Sequence, residues 1–372
     1  VVRRILILLL SARCCAQSYA DNIPPSREYF EAPTDDAVTR LGKPKLDFRS
    51  DGFGYLPSLL EKLGIGIDSQ ALVFAKDSFQ AEKVSPRNPR AIYFNDEVAV
   101  GFVPGGKGIE VAAVDPKQGV IFYTLDRDEA GEPRFVRQQV CLKCHQGPST
   151  EGVPGIFIGS VFPNSLGTPA REGAIVTDHR TAFGDRWGGW YVNAARGEQP
   201  DRANSVASDP AEPTTLEILS TRFTPAKYLS PSSDIVALMT LEHQTQMTNL
   251  LTRLAWEKNP IRLDSDIEAT VRYMVFADEA PLREPIEGVS SFTKTFPLRG
   301  PRDAAGRSLR DFDLRTRLFR YPLSYMIYSR AFDALPDSIR ERLYRRIHEA
   351  LASEGRQDAW EVLRATRSFQ VP

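Results

Sequence analysis

Cys141-Leu142-Lys143-Cys144-His145 sets two thiols three residues apart with an imidazole directly after the second, and no other stretch constrains this 372-residue chain so tightly. Thiols at this spacing can add to the two vinyl groups of a single haem, while the histidine offers its ring to the iron from the same turn of backbone. Two other chemistries use paired cysteines. A structural zinc site needs four ligands, and the only other cysteines are the adjacent Cys14 and Cys15. A thioredoxin-like dithiol lies between a strand and a helix, whereas here the exit Gln146-Gly147-Pro148-Ser149 reads as a turn. The motif therefore predicts one covalently bound haem c, with Cys141 and Cys144 as attachment points and His145 as the proximal iron ligand.

The amino terminus agrees with that reading. Arg3 and Arg4 precede the apolar run Ile5 to Leu10, and Ser18-Tyr19-Ala20 carries small residues where a signal peptidase reads them. Residues 1–20 are thus expected to be a signal peptide cleaved near Ala20, the alternative being a buried helix or membrane anchor. Cys14 and Cys15 lack the small residues that precede a lipoprotein cysteine, which favours release. Haem c is attached outside the bacterial cytoplasm, so the expected location is the periplasm.

The charge is nearly balanced, with 47 basic and 48 acidic residues. Losing residues 1–20 removes three arginines and no acid, taking the formal net charge from −1 to −4. Such a balance gives no footprint for nucleic acid, and no stretch beyond Ala20 is expected to span a bilayer. The expected partners are a redox protein or a small-molecule substrate.

Asp21 to Arg49 is polar and proline-punctuated, as in an extended arm. Four β-rich runs follow, Ala91–Phe94, Val98–Val103, Ile109–Val114 and Val120–Leu125, separated by Asn95-Asp96, Pro104-Gly105-Gly106 and Asp115-Pro116-Lys117. Alternating runs between turn formers predict an antiparallel meander. From Gly147 to Gly197 the chain is rich in Gly, Pro and aromatics, with little periodicity. Val236, Met239, His243, Met247, Leu250 and Leu254 then fall on one face of a helix opened by Ser232 or Ser233. Further helices are expected at Ser265 to Ala277, Leu323 to Ala334 and Ser338 to Leu351, with Glu279 to Arg310 as a long surface connection. The fold class is α+β: a β-rich and irregular haem-binding lobe over 21–230 and a helical lobe over 231–372.

Several stretches occur in an order shared with a known group: Ser85-Pro86-Arg87-Asn88-Pro89-Arg90-Ala91-Ile92-Tyr93-Phe94-Asn95-Asp96, the cysteine motif, Gly152-Val153-Pro154-Gly155, Thr177-Asp178-His179, Arg186-Trp187-Gly188-Gly189-Trp190-Tyr191-Val192, Leu241-Glu242-His243-Gln244-Thr245 and Arg320-Tyr321-Pro322-Leu323-Ser324-Tyr325. In these the chain resembles a bacterial family of exported proteins with a single CxxCH, described only as cytochrome c domain-containing, over roughly Leu72 to Leu351. The resemblance implies haem binding and redox chemistry and nothing finer. Two departures stand out. Asn193 to Gly197 holds no histidine where the family commonly has one, and Thr248 stands where a further histidine is expected.

Only four histidines exist, His145, His179, His243 and His348. The sixth position of the iron is open to His, to Met, or to no protein ligand. His243 is the leading candidate, because an imidazole on an apolar helix face needs a polar partner. His179 and Met247 are the alternatives, and His348 reads as surface. Arg87, Arg90 and Arg186 are candidate partners for the haem propionates, with ordinary salt bridges as the competing role. Trp187 is a candidate for lining the haem, or for the aromatic core. The leading functional expectation is one-electron transfer. A haem enzyme of peroxidase or oxidase type and a haem-based ligand sensor are the rivals, since 352 residues exceed what a haem carrier needs.

Overall fold

The turn residues of the meander build what their chemistry predicts. The Asn95 side-chain oxygen accepts from the amides of Glu97 (3.0 Å) and Val98 (3.1 Å), and that of Asp115 from Lys117 (2.9 Å) and Gln118 (2.8 Å). Gly105 takes the positive φ of 70° between the middle hairpins. In the computed structural model, which describes residues 27–368 apart from 33, 127–132, 172, 196, 210–211 and 220–221, these turns connect β2 (Arg90–Phe94), β3 (Val98–Phe102), β4 (Gly108–Asp115) and β5 (Gly119–Asp126). The expected signal peptide, with Cys14 and Cys15, lies outside the described residues.

The sheet has seven antiparallel strands. Beyond β5 comes β6 (Phe135–Arg137); beyond β2 come β1 (Ala71–Val73) and then β9 (Trp190–Tyr191). Two hairpins lie apart, β7 (Ile158–Ser160) with β8 (Ile175–Thr177), and β10 (Ser205–Asp209) with β11 (Glu212–Ile218). The segment from Gly147 to Gly197 is thus less irregular than its composition suggests, and it contributes an edge strand to the main sheet.

The pleat sorts side chains onto two faces. Ala91, Tyr93, Val98, Val100, Ile109 and Val111 meet the short helices α2 (Ala37–Leu41) and α3 (Leu56–Lys62) in one core. The other face, with Phe94, Ile92, Ala99 and Val114, meets the helices of the carboxy-terminal half. The architecture is α+β, an antiparallel sheet region followed by a helical region, and the larger of the two apolar cores runs through both. The expected arm is partly helical: α1 (Arg27–Glu31) precedes α2, whose cap Asp36 also accepts from the Tyr123 hydroxyl (2.8 Å) and ties the arm to the sheet.

Past the motif helix α4 (Leu142–His145), the helical region consists of α5 (Ile235–Trp256), α6 (Pro260–Met274), α7 (Phe292–Thr295), α8 (Arg330–Asp333), α9 (Asp337–Ser353) and α10 (Gln357–Thr366). The expected helix over Leu323 to Ala334 is broken. A 3-10 turn, Tyr325–Tyr328, ends at Ser329, whose extended backbone and side chain cap α8. The connection from Glu279 to Arg310 is not a surface linker. It buries Leu282, Ile286, Phe292, Phe296 and Leu309, apolar residues too irregularly spaced to show a period.

Helix α5 is buried on every side from Ile235 to Leu254, so its apolar stripe understates its burial. Asp234, rather than Ser232 or Ser233, caps it. One Asp234 oxygen accepts from the amides of Val236 (2.8 Å) and Ala237 (3.2 Å), the other from those of Val289 and Ser290 (2.7 Å each). A buried carboxylate serving four amides joins the helix start to the long connection. Asp234→Ala is expected to cost about 2–4 kcal/mol, a cap plus orphaned buried donors, and Asp234→Asn less, both read from urea unfolding midpoints. Equal losses would contradict this role.

Candidate functional site

Cys141 precedes α4 in helical conformation, so Cys141, Cys144 and His145 stand at i, i+3 and i+4, which puts them along one face of the turn. Cys144 is exposed, Cys141 is half-buried, and both are free thiols. The ring of His145 packs against Phe122 (centroids 4.8 Å apart) and Phe157 (5.8 Å). Its Nδ1 lies 3.1 Å from the Gly155 carbonyl oxygen, while the Gly155 amide donates to the His145 carbonyl (2.9 Å). With the Nδ1 proton committed to that carbonyl, Nε2 keeps its lone pair for a metal. Burial pushes the His145 pKa down to about 4, so the ring is neutral near pH 7, as ligation requires.

The motif Gly152-Val153-Pro154-Gly155 thus has a physical role. Pro154 accepts from the Val120 amide (3.0 Å), anchoring the loop to β5. Gly155 passes so close to α5 that a Cβ would fall 2.0 Å from the Asn249 side-chain oxygen. Asn249 in turn donates to Ile156 O (2.8 Å), while Gln246 and Arg253 bond to Glu151 (2.7 and 2.9 Å). Three side chains of α5 therefore hold the loop that positions His145.

Arg90 and Glu110 lie on the same side of the sheet and form an ion pair (2.9 Å). Arg90 extends over Gly101, where a Cβ would fall 2.7 Å from its Nε, and among the described residues that buried Nε has no acceptor. Both side chains act on the motif electrostatically. Burial raises the Cys141 thiol and Glu110 raises it further, while Arg90 adds to the lowering of His145. Arg87 is exposed in the turn before β2.

The other sequence candidates form a second, interior cluster. His243 is fully buried, its Nδ1 2.9 Å from His179 Nδ1 and its Nε2 2.7 Å from Ser324 Oγ. Its ring stacks on Tyr273 and Phe276. Neither His179 nor His243 shares a hydrogen-bond or ring partner with His145. Arg186 and Trp187, expected beside a haem, are also buried, and both converge on Glu242: Arg186 pairs with it at 3.3 Å, and the Trp187 indole N–H donates to it at 2.9 Å. Thr177 donates to the same carboxylate (2.6 Å). Met247 is buried in the apolar core. Sequence reasoning gave Glu242 no role, yet it is the one charge in the run from Ile235 to Thr252, and that isolation was a readable signal.

Among the described residues, no group of three or more His, Cys, Asp or Glu is disposed to hold a metal ion. The cysteine pair and its imidazole match a haem's two thioethers and one axial ligand more closely than a closed zinc site. A scan against protein-family models finds no match, and neither do searches of curated proteins and of solved structures.

The interior cluster makes stability depend on pH. Burial pushes His243 down to about 3 and His179 well below its ordinary value, the neighbouring His243 adding to the latter. Burial pushes Glu242 up to about 7 against the pull of Arg186. An imidazole with a depressed folded pKa binds more protons when unfolded, so its stability is lost as pH falls below 6.5. The carboxyl with a raised pKa works the other way, regaining stability between pH 7 and 4.5. Two imidazoles act against one carboxyl, and a net loss of stability is expected as pH falls from 7 to 4.5. Urea unfolding across that range should show it, and an unchanged midpoint would contradict the buried, neutral state of the pair.

Proposed function

We propose that this chain carries one haem c, attached through Cys141 and Cys144 with His145 as axial ligand, and serves one-electron redox chemistry outside the cytoplasm. The observation that carries the reading is the His145 Nδ1 contact with the Gly155 carbonyl. It fixes the tautomer a metal needs, at the imidazole of a turn whose two thiols are free. A bound haem supplies an iron that takes up and gives back one electron.

The chain's own residues supply the rest. Gly155 and Asn249 hold the ring of His145 in place, and Phe122 and Phe157 pack against it. Val136 and Val140, exposed beside the motif at 38% and 42%, offer apolar surface to a large flat group. Arg90, ion-paired with Glu110 and only partly buried near the motif, is the arginine we propose for a propionate. Arg186 is committed to Glu242 instead.

Periplasmic residence rests on the reading of residues 1–20 and on where haem c is attached. Among the described residues no helix is long and apolar enough to cross a membrane. The partner is proposed to be a redox protein or a small-molecule substrate.

Protein matured with a c-haem assembly system and then denatured should keep one haem per chain by mass, and Cys141→Ala with Cys144→Ala should abolish it. Recovery of zinc without haem would overturn the proposal.

A further inference from the structure

We infer that the iron held by His145 receives no second histidine or methionine from this chain, so that its sixth position binds small exogenous ligands such as cyanide and carbon monoxide. This rests on the haem reading above and adds a binding site to it.

The histidines and methionines of this sequence are few enough to trace one by one. Besides His145 there are three histidines and four methionines, and all seven lie among the described residues. Both ring nitrogens of His243 have partners, and its ring is fully buried between Tyr273, Phe276 and the 3-10 turn at Ser324. His179 shares that enclosure, 2% exposed, with its ring centroid 4.1 Å from that of Tyr273. His348, on α9, stacks on Trp360 of α10 (4.7 Å). Met239, Met247, Met274 and Met326 are each at most 4% exposed, inside the core of the helical region.

Helix geometry shows why α5 supplies no ligand toward the motif. At roughly 100° and 1.5 Å per residue, His243 sits about 9 Å along the axis from Asn249 and about 120° around it. Met247 points about 160° away. The side chains that do face the motif loop are Gln246, Asn249 and Arg253, each already bonded to it. Bringing His243 to the iron would require breaking its contacts with His179 and Ser324 and drawing the ring out of the aromatic core.

The test is the spin state of the matured wild-type protein, after mass measurement has confirmed one attached haem. The ferric protein at pH 7 should give a high-spin EPR spectrum that cyanide converts to low-spin, and the reduced protein should bind carbon monoxide without a slow ligand-release phase. His243→Gln and Met247→Leu should leave the wild-type spectrum unchanged wherever the variants fold. A low-spin ferric protein that resists both ligands overturns the inference, whether or not a substitution restores the high-spin form. Failure of haem to attach at all overturns the haem reading instead, and the mass measurement separates the two outcomes.

Discussion

Glu242 is a carboxylate with no access to water, and much of the molecule is arranged to satisfy it. Thr177 at the end of β8 and Arg186 and Trp187 just before β9 all donate to it. Removing one partner from a buried charge pair typically costs about 3–5 kcal/mol, so the loop between these strands cannot leave α5 without exposing or stranding a charge. Arg186 extends the lock by donating to the backbone carbonyls of Thr181 (2.7 Å) and His179 (2.9 Å), which fixes the segment that carries the His179 imidazole. The His179 and His243 pair follows from that lock. Once the loop is seated, the two rings meet beneath Tyr273 and Phe276.

The same helix serves the motif loop farther along its length. Gln246, Asn249 and Arg253 hold Glu151 and Ile156, and through Gly155 they set the tautomer and orientation of His145. Helix α5 therefore works as a rigid bar, with an interior charge lock towards one end and the cysteine–histidine turn towards the other. Its polar side chains are affordable in the core because they are bonded, to these loops, to neighbouring segments such as Asn95 and Ser324, or back to the helix itself, as Thr240, Thr248 and Thr252 are to the carbonyls four residues earlier. That arrangement separates two sets of histidines that a one-dimensional reading would place around a single metal.

What the sequence made legible was local. The meander follows from turn formers with a chemical reason to turn, and α9 follows from an amphipathic period, Asp337–Ser353 against an expected Ser338 to Leu351. The thiol and imidazole spacing of the motif is likewise a local pattern. The illegible parts depend on long-range partners. Arg186 and Trp187 read as neighbours of a haem because nothing local shows that a carboxylate 56 residues away in sequence claims the arginine. His243 reads as the one polar break in an apolar stripe, but Ser324, 81 residues on, and His179 satisfy it. The run from Glu279 to Arg310 reads as surface because its buried aromatics keep no period, each being placed by the core it fills.

The separation of the cysteine–histidine turn from the interior imidazole pair is tested most directly by NMR of the haem-loaded ferric protein with nitrogen-15 in its histidine rings. One ring, that of His145, should carry the large contact shifts of an iron-bound imidazole. His179 and His243 should keep neutral-ring nitrogen signals, with an exchange-protected N–H linking them. A second contact-shifted ring, assigned to His243 by its loss in His243→Gln, would contradict the separation.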